Sequence, residues 1–147
     1  GACLTVSRSL WTATGGFDPE YFLYWEDVDF SQRAKAAGGR LVVLDDLEVT
    51  HEVGATQGDG KSAVYLRFNT RNRLLFASKW LPKRTQRQWI RHTPRQSYRV
   101  LVRGGRRSLL QGPKLWAAVA GSASGARSVI GRKPKASGTP AIGVGSR

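Results

Sequence analysis

At 147 residues the chain is long enough for one domain with a real core, and its 40% hydrophobic content with five Trp is globular. A lone cysteine, Cys3, excludes a disulfide framework and points to a reducing compartment; no apolar run approaches the ~18 residues of a membrane span, and GACLTVSRSLW lacks the layout of a signal peptide. The net charge of +14 is unevenly spread, with four basic and ten acidic residues in 1–60 but twenty basic and no acidic residues in 61–147, an asymmetry that suits a polyanionic partner such as nucleic acid or an anionic membrane surface.

Residues 2–6 (ACLTV) form a short apolar, partly β-branched run that predicts a buried strand. Ser7 or Ser9 can cap a helical turn through Trp11 and Thr12, which Gly15-Gly16 stops. Phe17-Asp18-Pro19 is turn chemistry. From Glu26 to Ala37 helix formers dominate, and Phe30, Ala34 and Ala37 make one apolar stripe before Gly38-Gly39. Residues 40–44 (RLVVL) and 47–51 (LEVTH) predict two more strands, separated by an Asp45-Asp46 turn. The absence of Met and the apolar opening of the chain point to a piece of a longer protein.

Glu52 to Lys61 is Gly-rich and polar, as in a mobile loop. Ser62 can cap a helix over roughly 62–80, on which Tyr65, Phe68, Asn72, Leu75 and Phe76 share a face. Beyond Pro82, arginines at 84, 87, 91, 95, 99 and 103 recur every three or four residues among Trp89, Ile90, Tyr98, Val100, Leu101 and Val102. Such a segment matches an interfacial membrane helix with snorkelling arginines, broken or kinked at Pro94. A short apolar helix follows Pro113, and composition predicts disorder from Gly121 onward.

The chemistry concentrates in Gly15–His51. Glu26, Asp27 and Asp29 follow directly on Phe22, Tyr24 and Trp25, and carboxylates beside bulky apolar groups are costly unless compensated. At the start of a helix they also suit the macrodipole, so Asp29 on its own reads equally as a helix-end charge or as part of a site. The Glu26-Asp27 pair, crowded by Tyr24 and Trp25, reads as a site.

The ordered set of a GAC-type strand, GGFD, the aromatic run into WEDVD, a helix ending in AG, His51 and the later Arg71-Asn72 resembles the C-terminal portion of an inverting family 2 glycosyltransferase of the GT-A type. It is most similar to the bacterial rhamnosyl- and galactofuranosyl-transferase branch, over residues 1 to about 73. That resemblance implies an α/β fold: residues 1–80 as the acceptor and catalytic-base part of a GT-A domain, 81–120 as a basic amphipathic helical extension, and 121–147 as a disordered basic tail. It implies Asp27 as the general base, with Glu26 as the other candidate or as a ligand to the acceptor hydroxyl. Trp25 and Tyr24 would face a sugar ring, Asp29 and Arg73 (or Arg71) would contact substrate, and His51 would help hold a divalent metal, Mg2+ or Mn2+, or the diphosphate. Most of the metal site and the nucleotide pocket would precede Gly1, so the chain alone is expected to be inactive. The implied partners are a nucleotide-sugar donor, a glycan or lipid-linked acceptor of the cell envelope, and the cytoplasmic face of the plasma membrane. The alternative class is a basic module that binds nucleic acid or membrane without catalysis; no zinc spacing, aromatic RNA-binding motif or helix-turn-helix supports the nucleic-acid form.

Overall fold

A computed structural model describes residues 3–50 and 61–132, and these fold as helices joined by irregular segments. In order they are α1 (Arg8–Thr14), α2 (Glu26–Ala36), α3 (Ala63–Trp80), α4 (Lys83–Leu101), two short 3-10 turns (Val102–Gly104 and Arg106–Leu110) and α5 (Gly112–Gly131).

Helix α3 is the axis of the molecule. Ser62 caps it by accepting from the Tyr65 N–H at 3.1 Å. Leu66, Leu74, Leu75, Phe76 and Ala77 are buried along it. One side packs on α5 and another on α4, where Leu66 joins Val100, Leu101, Ala117 and Ala118 in one apolar cluster. A second cluster gathers Tyr21, Leu75 and Phe76 with Trp25, Trp80 and Trp89.

The α3–α5 contact depends on glycine. A Cβ on Gly121 would lie 2.3 Å from the Arg67 carbonyl oxygen, and one on Gly125 would lie 2.9 Å from that of Arg71. Small residues there let the two backbones touch. This corrects the expectation of disorder from Gly121: α5 continues to Gly131, because the Gly and Ala that read as low complexity form its packing face. Residues 133–147, the rest of the expected tail, lie outside the described residues.

Helix α4 also runs further than expected. Pro94 lies inside it without ending it. Proline is exposed there, while Gln86, Thr93, Ser97, Val100 and Leu101 on the other side are buried. Tertiary packing of that side sustains the helix across a residue that costs about 3 kcal/mol in a helix interior.

The α/β expectation is overturned, since the described residues contain no strand. Of the three predicted strands, 2–6 and 40–44 have no regular structure where described, and neither do residues 47–50; His51 lies outside the described residues. Leu41, Val42, Val43 and Leu44 are all exposed. The backbone bond that residues 40–50 make among the described residues is a turn, Leu47 N–H to Leu44 O at 3.4 Å. The physical reason is the lack of an edge to pair with. A helix closes its hydrogen bonds within itself, whereas a strand needs a neighbour.

Around α1 and α2 the local expectations hold. Ser7 accepts from the Leu10 N–H at 3.3 Å, and Gly15, at φ 73°, closes α1. Trp11, Phe17 and Phe30 form an aromatic trio with centroids 5.2–5.6 Å apart, seating α1 on α2.

Candidate functional site: the carboxylate turn at the start of helix α2

The segment Asp18–Trp25 crosses α3 and delivers the chain to α2. It is held by polar side chains of α3. Asn72 is fully buried, and its Nδ2 donates to Leu23 O at 2.8 Å and Tyr24 O at 2.9 Å. Arg71 donates from Nη1 to Glu20 O at 2.9 Å and to Asn72 Oδ1 at 2.6 Å. The Trp25 indole N–H donates to Asn69 Oδ1 at 2.9 Å. Three side chains within four residues of one helix thus hold three carbonyls and the indole N–H of the crossing segment.

The held backbone is unusual. Tyr24 and Trp25 both have positive φ, 67° and 74°. Bulky residues rarely adopt the left-handed region, which costs roughly 1–3 kcal/mol each. Trp25 is also the residue that opens α2, with no side-chain cap. The left-handed pair turns the chain sharply, so that Glu26 and Asp27 begin the helix as it leaves α3.

Those two acids differ from Asp29. The Asp27 Oδ1 accepts from the Val28 N–H at 2.8 Å, and the side chain is partly exposed. Glu26 carries a buried Oε2 with no hydrogen-bond partner among the described residues. Asp29 is 1% exposed and both oxygens are bound by protein donors: Arg33 Nε at 2.8 Å and the Trp80 indole N–H at 2.8 Å. Arg33 reaches on to Thr14 O at 2.7 Å and Gly16 O at 2.6 Å. Asp29 therefore joins α1, α2 and α3, and its oxygens face protein rather than a ligand. The hydroxyl of Tyr21 is buried near Asp29; burial first, and then that negative charge, push the phenol well above its ordinary value.

The aromatic residues divide in the same way. Trp25 packs inward, 5.5 Å from Phe76 and 6.1 Å from Trp89 between ring centroids. Tyr24 meets Tyr65 edge to face at 4.9 Å. The open flat face belongs to Phe22, which is 74% exposed and rests on Phe68 at 5.1 Å. The Arg73 guanidinium lies 4.2 Å from the centre of the Trp89 ring, and burial lowers its pKa. His51 lies outside the described residues.

The acidic turn Asp18–Glu20 anchors the other end of the segment. Lys79 of α3 reaches Asp18 Oδ2 at 2.5 Å and Glu20 Oε2 at 3.2 Å, and Arg132 beyond α5 reaches Glu20 at 2.8 Å. Burial alone would raise both carboxyl pKa values. For Asp18 the Lys79 hydrogen bond and charge, with the Glu20 N–H, outweigh it; for Glu20, Arg132 and Lys79 do. Both pKa values end lowered.

Asn69, Arg71 and Asn72 as a clamp, and Phe22 as the exposed ring, were not assigned those parts from sequence. A signal for the clamp was present, because Asn72 falls on the apolar face of α3, where a polar side chain needs a defined partner. Among the described residues no three His, Cys, Asp or Glu side chains converge into a metal site.

Comparison with known proteins gives a partial answer. Over 58 residues, 40% of this chain and 19% of the relative, the sequence is 43% identical to the N-acetylglucosaminyl-diphospho-decaprenol L-rhamnosyltransferase of Mycobacterium tuberculosis, in both the CDC 1551 / Oshkosh and ATCC 25618 / H37Rv strains. The match thus spans about a fifth of those relatives' length. No family profile matches the chain, and no solved structure matches it significantly. In that stretch the chain is glycosyltransferase-like.

Proposed function

We propose that this chain supplies acceptor-side carboxylate chemistry to a sugar transferase that acts on a lipid-linked acceptor. The observation that carries the reading is the geometry at the start of α2. A left-handed Tyr24–Trp25 pair, fixed by Asn69 and Asn72, presents Glu26 and Asp27, while the neighbouring Asp29 is used up in packing. The similarity to a rhamnosyltransferase supports it.

In this reading the Asp27 carboxylate takes the proton from an acceptor hydroxyl as its oxygen attacks the anomeric carbon of a nucleotide sugar. The new glycosidic C–O bond forms as the bond to the diphosphate breaks, and that electron pair leaves with the nucleoside diphosphate. Attack opposite the leaving group inverts the anomeric centre. Glu26, beside Asp27 at the helix start, would accept from a second acceptor hydroxyl in this reading. Phe22 offers the exposed ring on which a sugar face can stack. The substrate class follows the relative: a deoxyhexose transferred from a nucleotide sugar to an N-acetylglucosaminyl-diphospho-polyprenol. His51, outside the described residues, would help hold a divalent cation or the diphosphate in this reading. The isolated chain is expected to transfer no sugar.

A chimera tests this, with the chain replacing the region it matches in the mycobacterial relative. Retained rhamnosyl transfer to the polyprenol-linked acceptor supports the reading. A folded chimera that binds donor and transfers nothing contradicts it.

A further inference from the structure

Helix α5 has two apolar faces. One, with Ala117, Ala118, Gly121, Gly125 and Val129, is buried, and its two glycines meet the α3 backbone. On the other side Trp116, Val119, Ala123 and Ile130 follow at helical spacing, interrupted by Arg127, and all five are exposed. Trp116 is 71% exposed, and Leu110, in the turn leading into the helix, is 86% exposed. A helix that is apolar on both sides calls for a second covering surface.

The charge around the stripe indicates what covers it. Residues 83–132 carry twelve Lys and Arg and no Asp or Glu. Arg84, Arg87, Arg91, Arg95 and Arg99 form an exposed row along α4. Arg103, Arg106 and Arg107 are exposed in the turns between α4 and α5. A second copy of the same acid-free region would bring like charge against like charge. Anionic lipid headgroups neutralise the arginines, and the acyl boundary takes the apolar side chains.

From this we infer that α5, with Leu110, is a membrane-surface insertion element: Trp116, Val119, Ile130 and Leu110 enter the headgroup–acyl boundary of an anionic bilayer, and the arginines of α4 and its following turns neutralise the phosphates. The element lies in the surface plane and does not span, since no helix among the described residues is long and apolar enough to cross a membrane. The assignment moves the interfacial role one helix along from where the arginine spacing put it. Helix α4 buries Val100 and Leu101 in the α3 and α5 cluster, so its free side is the charged one. The inference rests on α5 and its surroundings, not on the transferase reading.

The test is flotation of the 147-residue chain with vesicles of pure phosphatidylcholine or of phosphatidylcholine with phosphatidylglycerol. The chain is expected to float with the anionic vesicles and to be released by salt. Trp116→Ser combined with Val119→Ser should weaken that partitioning about tenfold at unchanged helical content. Brominated acyl chains should quench indole fluorescence in the parent and much less in Trp116→Phe, a variant that keeps the apolar bulk. Equal binding to neutral and anionic vesicles, or unaltered binding by the double variant, overturns the inference. So does a stable dimer that the double variant dissociates without any vesicle binding, or tight duplex binding to DNA or RNA in place of lipid.

Discussion

Residues 15–36 and residues 40–50 are adjacent, similar in apolar content, and end in opposite conditions. In the first, backbone carbonyls at 16, 20, 23 and 24 accept from Arg33, Arg71 and Asn72, and Phe30 and Ala34 are buried. In the second, Val43 is 82% exposed and no described residue offers a ladder. The difference lies in where the partners are. Helix α2 carries its backbone bonds within itself and needs only side-chain anchors, which α3 provides. The 40–50 segment has strand propensity and nothing to spend it on. Propensity became structure where a few polar side chains were in reach.

Substitutions break that comparison to different depths. The largest expected effect is at Asp29. Asp29→Ala leaves the Arg33 Nε–H and the Trp80 indole N–H without their acceptor and the Arg33 charge without its carboxylate, and losing one member of such a buried pair costs about 3–5 kcal/mol. Chemical denaturation should show it. Next is Asn72→Ala, which strands two carbonyls and should cost about 2–3 kcal/mol. Because those carbonyls belong to Leu23 and Tyr24, amide exchange of residues 21–27 should rise more than that of α5.

Acid should act more weakly and through the same segment. Asp18 and Glu20 have pKa values lowered below 3.8 and 4.5, so their contribution is complete above those ordinary values and is lost as pH falls through the lowered ones. A melting series from pH 6 to below about pH 3 should show a decline that Lys79→Met reduces. The pairs are partly exposed, so each is worth about 1 kcal/mol or less. Smallest of all is Val43→Lys, expected within about 0.5 kcal/mol of the parent, since that side chain contacts little. A large loss there would mean that residues 40–50 have a partner after all.

The helices were legible because their signals are local. Ser7 and Ser62 are the caps, and the apolar spacing of α2 and α3 is in the sequence. What escaped notice depended on partners distant in the chain. Gly121 and Gly125 read as disorder and are the contact between α3 and α5. Pro94 read as a break or kink and lies within a helix that continues past it, held by packing. Within the candidate site, the Glu26-Asp27 pair could be favoured over Asp29 from the motif, but the bonds that hold Asp29, to Arg33 and Trp80, four and fifty-one residues away, could not be read from it. Trp25 looked like a sugar platform and turns inward, while Phe22, less conspicuous in the motif, holds the exposed ring.

The central claim is that the chemistry at this turn belongs to Asp27, and its most direct test is turnover of the chimeric transferase carrying Asp27→Asn, measured beside its thermal melt and its donor affinity. Loss of the general base should lower kcat by about 10²–10⁴-fold, with melting and donor binding nearly unchanged. Turnover within a few-fold of the parent would contradict the account.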